Sequence, residues 1–133
     1  MTGNVTTMTT VTRLQPSGLP QNPAFSQGVA VDGPVRTIYV GGQNGEGEDV
    51  AAQTRAALHN VELVLRDAGA GLTDVVHWRI AVVQGASLLD GFRASQEVWA
   101  GRGEPPAISV DVVAGLANPA FLVEITAIAV VPA

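Results

Sequence analysis

The feature that most constrains the fold of this chain is its last extended segment, residues 121–131, which is apolar on both faces except at Glu124. Side chains alternate between the two faces of a strand, and a strand that is apolar on both faces is normally covered on both. The pattern elsewhere predicts only two helices, which can cover one face of a sheet. We therefore expect another copy of the chain to cover the second face. The first face carries Phe121, Val123, Ile125, Ala127, Ala129 and Val131; the second carries Leu122, Glu124, Thr126, Ile128 and Val130.

The low proportion of charged residues supports the same expectation. Only 14% of the 133 residues are charged and 47% are apolar, whereas a soluble domain usually has about 25% charged residues. The missing charge indicates that other copies cover part of the surface. The length is that of a single domain, residues 1–133, in which we expect residues 1–4 to be disordered.

Composition also excludes several classes of function. The chain has no cysteine and no lysine, so thiolate chemistry, a Schiff base and a phosphate-loop lysine are excluded. A net charge of −5 argues against nucleic acid as a partner. No apolar run reaches membrane-spanning length and no signal peptide is recognisable, which favours a cytoplasmic protein. His59 and His77 lack metal-ligand spacing, so we expect no metal and no cofactor.

The apolar periodicity predicts elements in the order βββαβαββ, an α+β protein with a six-stranded mixed sheet and two helices on one face. Asp49 is expected to cap the first helix and Gly69 to end it. The second helix is expected to begin at Ser87 or Asp90. Asp32-Gly33-Pro34 is a turn signal that predicts a hairpin between its flanking strands. The strands are predicted at residues 5–14, 25–31, 37–43, 74–83, 107–113 and 121–131.

Two local features have chemical interest. The glycine-rich segment 41–47 matches no phosphate-binding fingerprint and contains acids, so it is interpreted as a strand-to-helix loop. Glu124 lies in an apolar strand, where a carboxylate is costly unless it is paired, and where burial raises its pKa. Such a group is suited to general acid/base work on a water. The alternative is an ion pair across a subunit boundary with one of the seven arginines.

Several motifs together resemble the RidA (YjgF) family. They are residues 25–29 (FSQGV), 41–43 (GGQ), 49–55 (DVAAQTR), 106–109 (PAIS) and 123–130 (VEITAIAV). The resemblance implies a chorismate-mutase-like fold and a homotrimer that binds small molecules in clefts between subunits. Known members hydrolyse enamines and imines to 2-keto acids and ammonia, with an arginine that grips the substrate carboxylate and a glutamate that helps to place the attacking water.

Position by position, the resemblance carries over only part of that site. The family's glutamate corresponds to Glu124, but Ile108 stands in place of the arginine, which argues against the usual deamination. Arg93 stands where an asparagine is found on the second helix. It is either a solvated helix-face residue or a substitute anchor. The remaining positions expected in the cleft are Phe25, Gly41, Gly42 and Val110, alongside Ile108.

Three functional interpretations follow from the resemblance. The chain binds a less polar small molecule in its clefts; or it remains a deaminase that uses Glu124 and Arg93; or it is a structural or regulatory trimer. An older family label, endoribonuclease, fits poorly with an acidic chain that has no lysine.

Overall fold

The computed structural model describes residues 8–133, so the expectation for residues 1–4 lies outside it. The strands and helices follow the predicted order βββαβαββ, with one added 3₁₀ turn at Leu72–Asp74. No helix among the described residues is long and apolar enough to cross a membrane. The elements are β1 (Thr10–Leu14), β2 (Gly28–Asp32), β3 (Val35–Gln43), α1 (Val50–Asp67), β4 (Val75–Val83), α2 (Leu88–Trp99), β5 (Ala107–Val113) and β6 (Val123–Pro132).

Helix α1 begins and ends where the capping signals predict. The Asp49 side chain accepts a hydrogen bond from the amide of Ala52 at 2.8 Å, which satisfies an otherwise unpaired N–H group of the first turn. Gly69 has a positive φ of 78° just after the last turn, a conformation that glycine adopts without strain. The apolar positions at spacings of three and four point into the core, where Leu58, Val61 and Leu65 are fully buried.

A four-stranded mixed sheet forms the centre of the molecule, in the order β3-β6-β4-β5. Strand β6 pairs antiparallel with both β3 and β4, whereas β4 and β5 are parallel. A parallel pair needs a crossover connection, and α2 provides it. Both helices lie on one face of this sheet, so the predicted α+β fold with two helices and a mixed sheet is confirmed.

The expectation of one six-stranded sheet needs a correction. Strands β1 and β2 form a separate antiparallel pair, which meets the main sheet through a single bridge between Ser26 and Ala107. The predicted hairpin is also wrong, because β2 pairs with β1 while β3 pairs with β6. At Gly33, with φ of 92°, the chain turns from one sheet to the other. The predicted turn is therefore present, but β3 pairs with the long apolar strand β6 and not with β2.

The two faces of β6 have different environments. Val123, Ile125 and Ala129 are fully buried beneath the helices. On the opposite face Glu124, Thr126 and Ile128 are only half-buried, since no helix covers them. Tyr39 of the neighbouring strand β3 lies on that uncovered face and is 76% exposed. We call this surface of the four-stranded sheet the open face.

Candidate functional site

Glu124 lies on the open face near the start of β6, directly over Gly42. A Cβ atom at position 42 would overlap Oε1 of Glu124, so the carboxylate can occupy this place only because residue 42 is glycine. The register of β3 against β6 shifts between Val40 and Gln43, which is where this contact occurs. Such an irregularity bends a strand locally and re-aims its side chains. A Cβ atom added at the neighbouring Gly41 would have no other residue's heavy atom within 4 Å.

The backbone around Glu124 is held by three amide side chains, of which Gln53 is buried and Asn44 and Asn60 are half-buried. The Asn44 amide donates to the carbonyl of Val123 at 3.0 Å, and Asn60 on α1 donates to the carbonyl of Asn44 at 2.7 Å. Gln53, also on α1, accepts from the amide of Leu122 at 2.7 Å and donates to the Ala120 carbonyl at 3.2 Å. These bonds anchor the beginning of β6 to α1, so the position of Glu124 is set by the core.

The glycine-rich segment 41–47 spans the end of β3 and the start of the loop to α1: residues 41–43 belong to the strand, and residues 44–47 lie in the predicted strand-to-helix loop. The glycines at 45 and 47 are needed because the loop lies against α1: a Cβ at Gly45 would overlap Ala56, and one at Gly47 would lie 2.7 Å from the Cβ of Ala52. The loop also runs beside Gln53, which donates to the carbonyl of Gly47 at 3.2 Å. Close packing, not phosphate binding, accounts for its composition.

Other polar side chains share the open face with Glu124. Arg79 of β4 forms an ion pair with Asp111 of β5, with 2.5 Å between Nε and Oδ2. Nearby on the same strands, Nε2 of His77 lies 3.0 Å from the hydroxyl oxygen of Ser109. In the sheet register Ala81 lies between Glu124 and Asp111, which places the two carboxylates on either side of one small residue. We call Gly41, Gly42, Glu124, Arg79 and Asp111 the Glu124 half-site.

Sequence reasoning did not single out Arg79 or Asp111 as site residues. The available signal was strand alternation, which puts Arg79 and His77 on the same face of β4. Within residues 8–133 the Glu124 carboxylate has neither a hydrogen bond nor an ion pair. The alternative interpretation, an ion pair of Glu124 with an arginine across a subunit boundary, concerns another copy of the chain and stays a prediction.

Ile108 and Val110 lie on the other face of the sheet, the face that carries the helices. Their register partners on β4 are Trp78 and Ile80, both buried in the core. Ile108 packs against that core, while Val110, nearer the exposed edge, is 49% exposed. Ile108 and Glu124 therefore cannot face the same ligand within one chain. Two copies are needed to bring these positions together.

An apolar cavity of about 380 Å³ opens between the start of α2 and strands β4 and β5. Its one polar side chain, Thr54, donates its hydroxyl hydrogen to the carbonyl of Val50 at 2.7 Å, so it has no hydrogen left for a ligand. Among residues 8–133, none that lines the cavity is charged. Sequence reasoning assigned Leu88 and Leu89 only to the apolar face of a helix. The apolar lining, which we call the Val110 half-site, is Ile80, Val82, Leu88, Leu89, Phe92 and Val110.

Three predicted site residues lie outside both half-sites: Ile108, described above, and Phe25 and Arg93. Phe25 is half-buried in the loop before β2, and its carbonyl accepts a hydrogen bond from Gln15 at 2.7 Å. Because Ser26 bridges to Ala107, Phe25 lies near the start of β5 and hence on the side of Ile108. Arg93 is exposed on α2 and does not line the apolar cavity. Its placement agrees with a solvated helix-face arginine.

The comparisons with known proteins agree with this architecture. Residues 18–131 match the sequence model of the family described as endoribonuclease L-PSP. The Rid-family protein YyfB of Yersinia pestis, whose function is unknown, is 32% identical, with 91% of this chain and 98% of that one covered and a TM-score of 0.78. A member of the YjgF/YER057c/UK114 family from Mycobacterium tuberculosis is 35% identical, with coverage of 92% and 100% and a TM-score of 0.60.

A more distant structure shares the fold. TdcF of Escherichia coli, crystallised with bound serine, is 22% identical over 71% of this chain and 80% of that one, with a TM-score of 0.66. Among curated proteins, none matches the chain.

Proposed function

The chain belongs to the Rid (YjgF) family, and on that premise we propose that it binds a small, weakly polar metabolite in clefts between copies of itself. In such a cleft the Glu124 half-site of one copy faces the Val110 half-site of the next. Each chain contributes both halves on opposite faces of its sheet, so a closed ring of copies completes every cleft. The homotrimer expected from the resemblance is the ring that this proposal adopts.

The apolar lining of the Val110 half-site is the observation that carries the proposal. Six apolar side chains and no charge surround the cavity, and Ile108, in the position of the family's anchoring arginine, packs against the core. A ligand that buries about 100 Å² of apolar surface there gains roughly 2.5 kcal/mol. A carboxylate in the same place would lose its hydration without a compensating partner. The cavity therefore favours an uncharged ligand group.

The open face supports assembly. Tyr39 and Ile128 are neighbours on it, and within the described residues Tyr39 is exposed and Ile128 is half-buried. Large apolar or aromatic groups are typical of protein interfaces. Static light scattering tests this step directly. A mass three times the 13.7 kDa of the chain is expected, and a monomer mass would contradict the proposal.

Calorimetric titration with a matched pair of probes tests the ligand class. Butanone and 2-oxobutanoate have the same carbon number, but only the second carries a carboxylate. We expect butanone to bind at least as tightly as 2-oxobutanoate, because the Val110 half-site offers no cation. Val110→Asp should abolish butanone binding, whereas Val112→Asp, two positions along the same face, should retain it. A clear preference for 2-oxobutanoate would refute the uncharged-ligand proposal.

A second candidate, enamine or imine deamination, is favoured by the carboxylate of Glu124, which forms no ion pair within residues 8–133. In this reaction water adds to the imine carbon, and collapse of the adduct forms the carbonyl and expels ammonia. Glu124 would take the proton from water and return it to the leaving nitrogen. Arg79, on the next strand and the same face, is better placed than Arg93 to hold a substrate carboxylate.

An ammonia-release assay separates the two candidates. Imine generated from threonine by a dehydratase is offered to the trimer, and under the binding proposal ammonia appears no faster than in buffer. If release is accelerated, Glu124→Gln should remove the effect, and comparison of Arg79→Gln with Arg93→Gln identifies the anchor. A trimer that binds neither probe and releases no ammonia would favour the third interpretation, a structural or regulatory role.

A further inference from the structure

A second, more polar cavity of about 640 Å³ lies apart from both half-sites. It is an open cleft between the loop that joins β1 to β2 and the connection from α2 to β5. Residues 103–105 form one wall. The other wall is formed by Arg13, Gln15, Gln21, Asn22, Pro23 and Ser26. No residue of the Glu124 or Val110 half-site lines it, so the function proposed above does not use it.

The walls of this polar cavity are braced by their own side chains. The Gln21 amide donates to the carbonyls of Pro16 and Leu19 at 2.9 and 3.1 Å, and the Gln15 amide donates to the carbonyl of Phe25 at 2.7 Å. The hydroxyl of Ser26 donates to the Pro105 carbonyl at 2.6 Å and joins the two walls. A cavity whose walls are held in this way loses little conformational entropy when a ligand binds.

Arg13 supplies a positive charge to the cavity. Its guanidinium is half-buried and donates to the carbonyl of Val75 at 3.3 Å, and in the part of the chain from Met8 onward no carboxylate forms an ion pair with it. Burial lowers the pKa of Arg13, an effect that the negative charge of Glu104 partly opposes. A guanidinium has five N–H donors, so most of them remain available to an anionic group.

Glu104 supplies the opposite charge. It lines the same cavity, and its charge acts on Arg13, yet the two groups are too far apart to form an ion pair. Its side chain is exposed and, within residues 8–133, it pairs with no arginine. A cation and an anion thus face one cavity without neutralising each other directly.

We propose that this cavity binds a free amino acid as a zwitterion, with its carboxylate on Arg13 and its ammonium group on Glu104. Glu104 would repel a purely anionic ligand such as phosphate, and Arg13 would repel a simple amine. Only a ligand with both charges gains from both residues. Guanidinium–carboxylate pairs combine two parallel hydrogen bonds with opposite charge, which gives such a site its orientation.

The test uses three probes of similar size with the full-length chain: L-norvaline, pentanoate, which lacks the ammonium group, and butylamine, which lacks the carboxylate. Titration followed by NMR should show norvaline binding at least about tenfold more tightly than either of the others. Arg13→Gln should remove the advantage of norvaline over butylamine, and Glu104→Gln its advantage over pentanoate.

Arg36→Gln is the matched control, because Arg36 also donates to a single carbonyl, that of Ala68, but is exposed and lines no part of this cavity. It should leave norvaline binding unchanged. Arg13→Lys, with thermal unfolding as a check of folding, should retain part of the binding. Val110→Asp should not affect norvaline, which separates this site from the proposed apolar cleft. The proposal is overturned if norvaline binds no better than pentanoate or butylamine, or equally well to Arg13→Gln.

Discussion

Glu124 and Ile108 lie on opposite faces of one sheet, with strand β4 between their strands. Glu124 points to the open face, whereas Ile108 packs against the core under the helices. Any site that uses both positions must therefore be assembled from two copies of the chain. Substitutions on the two faces should therefore act on different halves of a shared cleft.

Introducing an arginine at position 108 should change the ligand preference of the cleft. If the Glu124 half-site of a second copy faces this position, Ile108→Arg should tighten 2-oxobutanoate binding by about tenfold or more, since a guanidinium–carboxylate pair replaces an apolar contact. Val112→Arg, on the same face and 57% exposed, is the control and should have little effect. Calorimetry measures both, and equal affinities would contradict the shared cleft.

Gly42→Ala should displace Glu124, because the new Cβ would overlap its carboxylate. The overlapping atoms belong to the end of a flexible, half-exposed side chain, so we expect the carboxylate to move with a loss of stability below about 1 kcal/mol and with altered ligand binding. Gly41→Ala is the matched control, since a Cβ there meets nothing within 4 Å. Calorimetric titration with butanone compares the two variants, and chemical denaturation checks that both are folded. If both behave alike, the contact between Gly42 and Glu124 does not hold the carboxylate in place.

Tyr39→Glu should weaken assembly, because it introduces a charge at a residue that is 76% exposed on the open face. In the proposed trimer this residue becomes buried, and an unpaired buried charge is strongly unfavourable. Leu63→Glu provides the comparison, since Leu63 is 48% exposed on α1, away from the sheet. Light scattering should show a lower mass for the first variant and an unchanged trimer for the second. The reverse order would place the interface on the helices.

Gln53→Met should destabilise the protein by roughly 1–3 kcal/mol, the cost of leaving buried polar groups unsatisfied. The amide of Leu122 and the carbonyls of Ala120 and Gly47 would lose their partner. Gln96→Met, at an exposed position of α2, is expected to change stability by less than about 0.5 kcal/mol. Thermal unfolding measures both variants. A small effect at Gln53 would mean that the start of β6 is held by packing alone.

Local patterns in the sequence were sufficient for the elements of the fold. Apolar spacing and the caps at Asp49 and Gly69 predicted α1, and alternation predicted the six strands in their correct order. The pairing of β1 with β2 was not predictable in the same way, because the turn at Gly33 fits either a hairpin or a change of sheet. Strand pairing depends on contacts between distant segments, and local preferences carry little information about it.

The sequence alone determined the α+β class, the resemblance to the Rid family, and the contrast between the kept glutamate at 124 and the isoleucine at 108. Only the tertiary structure decided which face each position occupies, that Arg79 and Asp111 share the open face with Glu124, and that Arg13 and Glu104 share a cavity. Alternation relates neighbouring residues of one strand, but the register between strands relates residues of different strands. The register depends on how distant segments pack together in the core, and no single segment of the sequence carries that information.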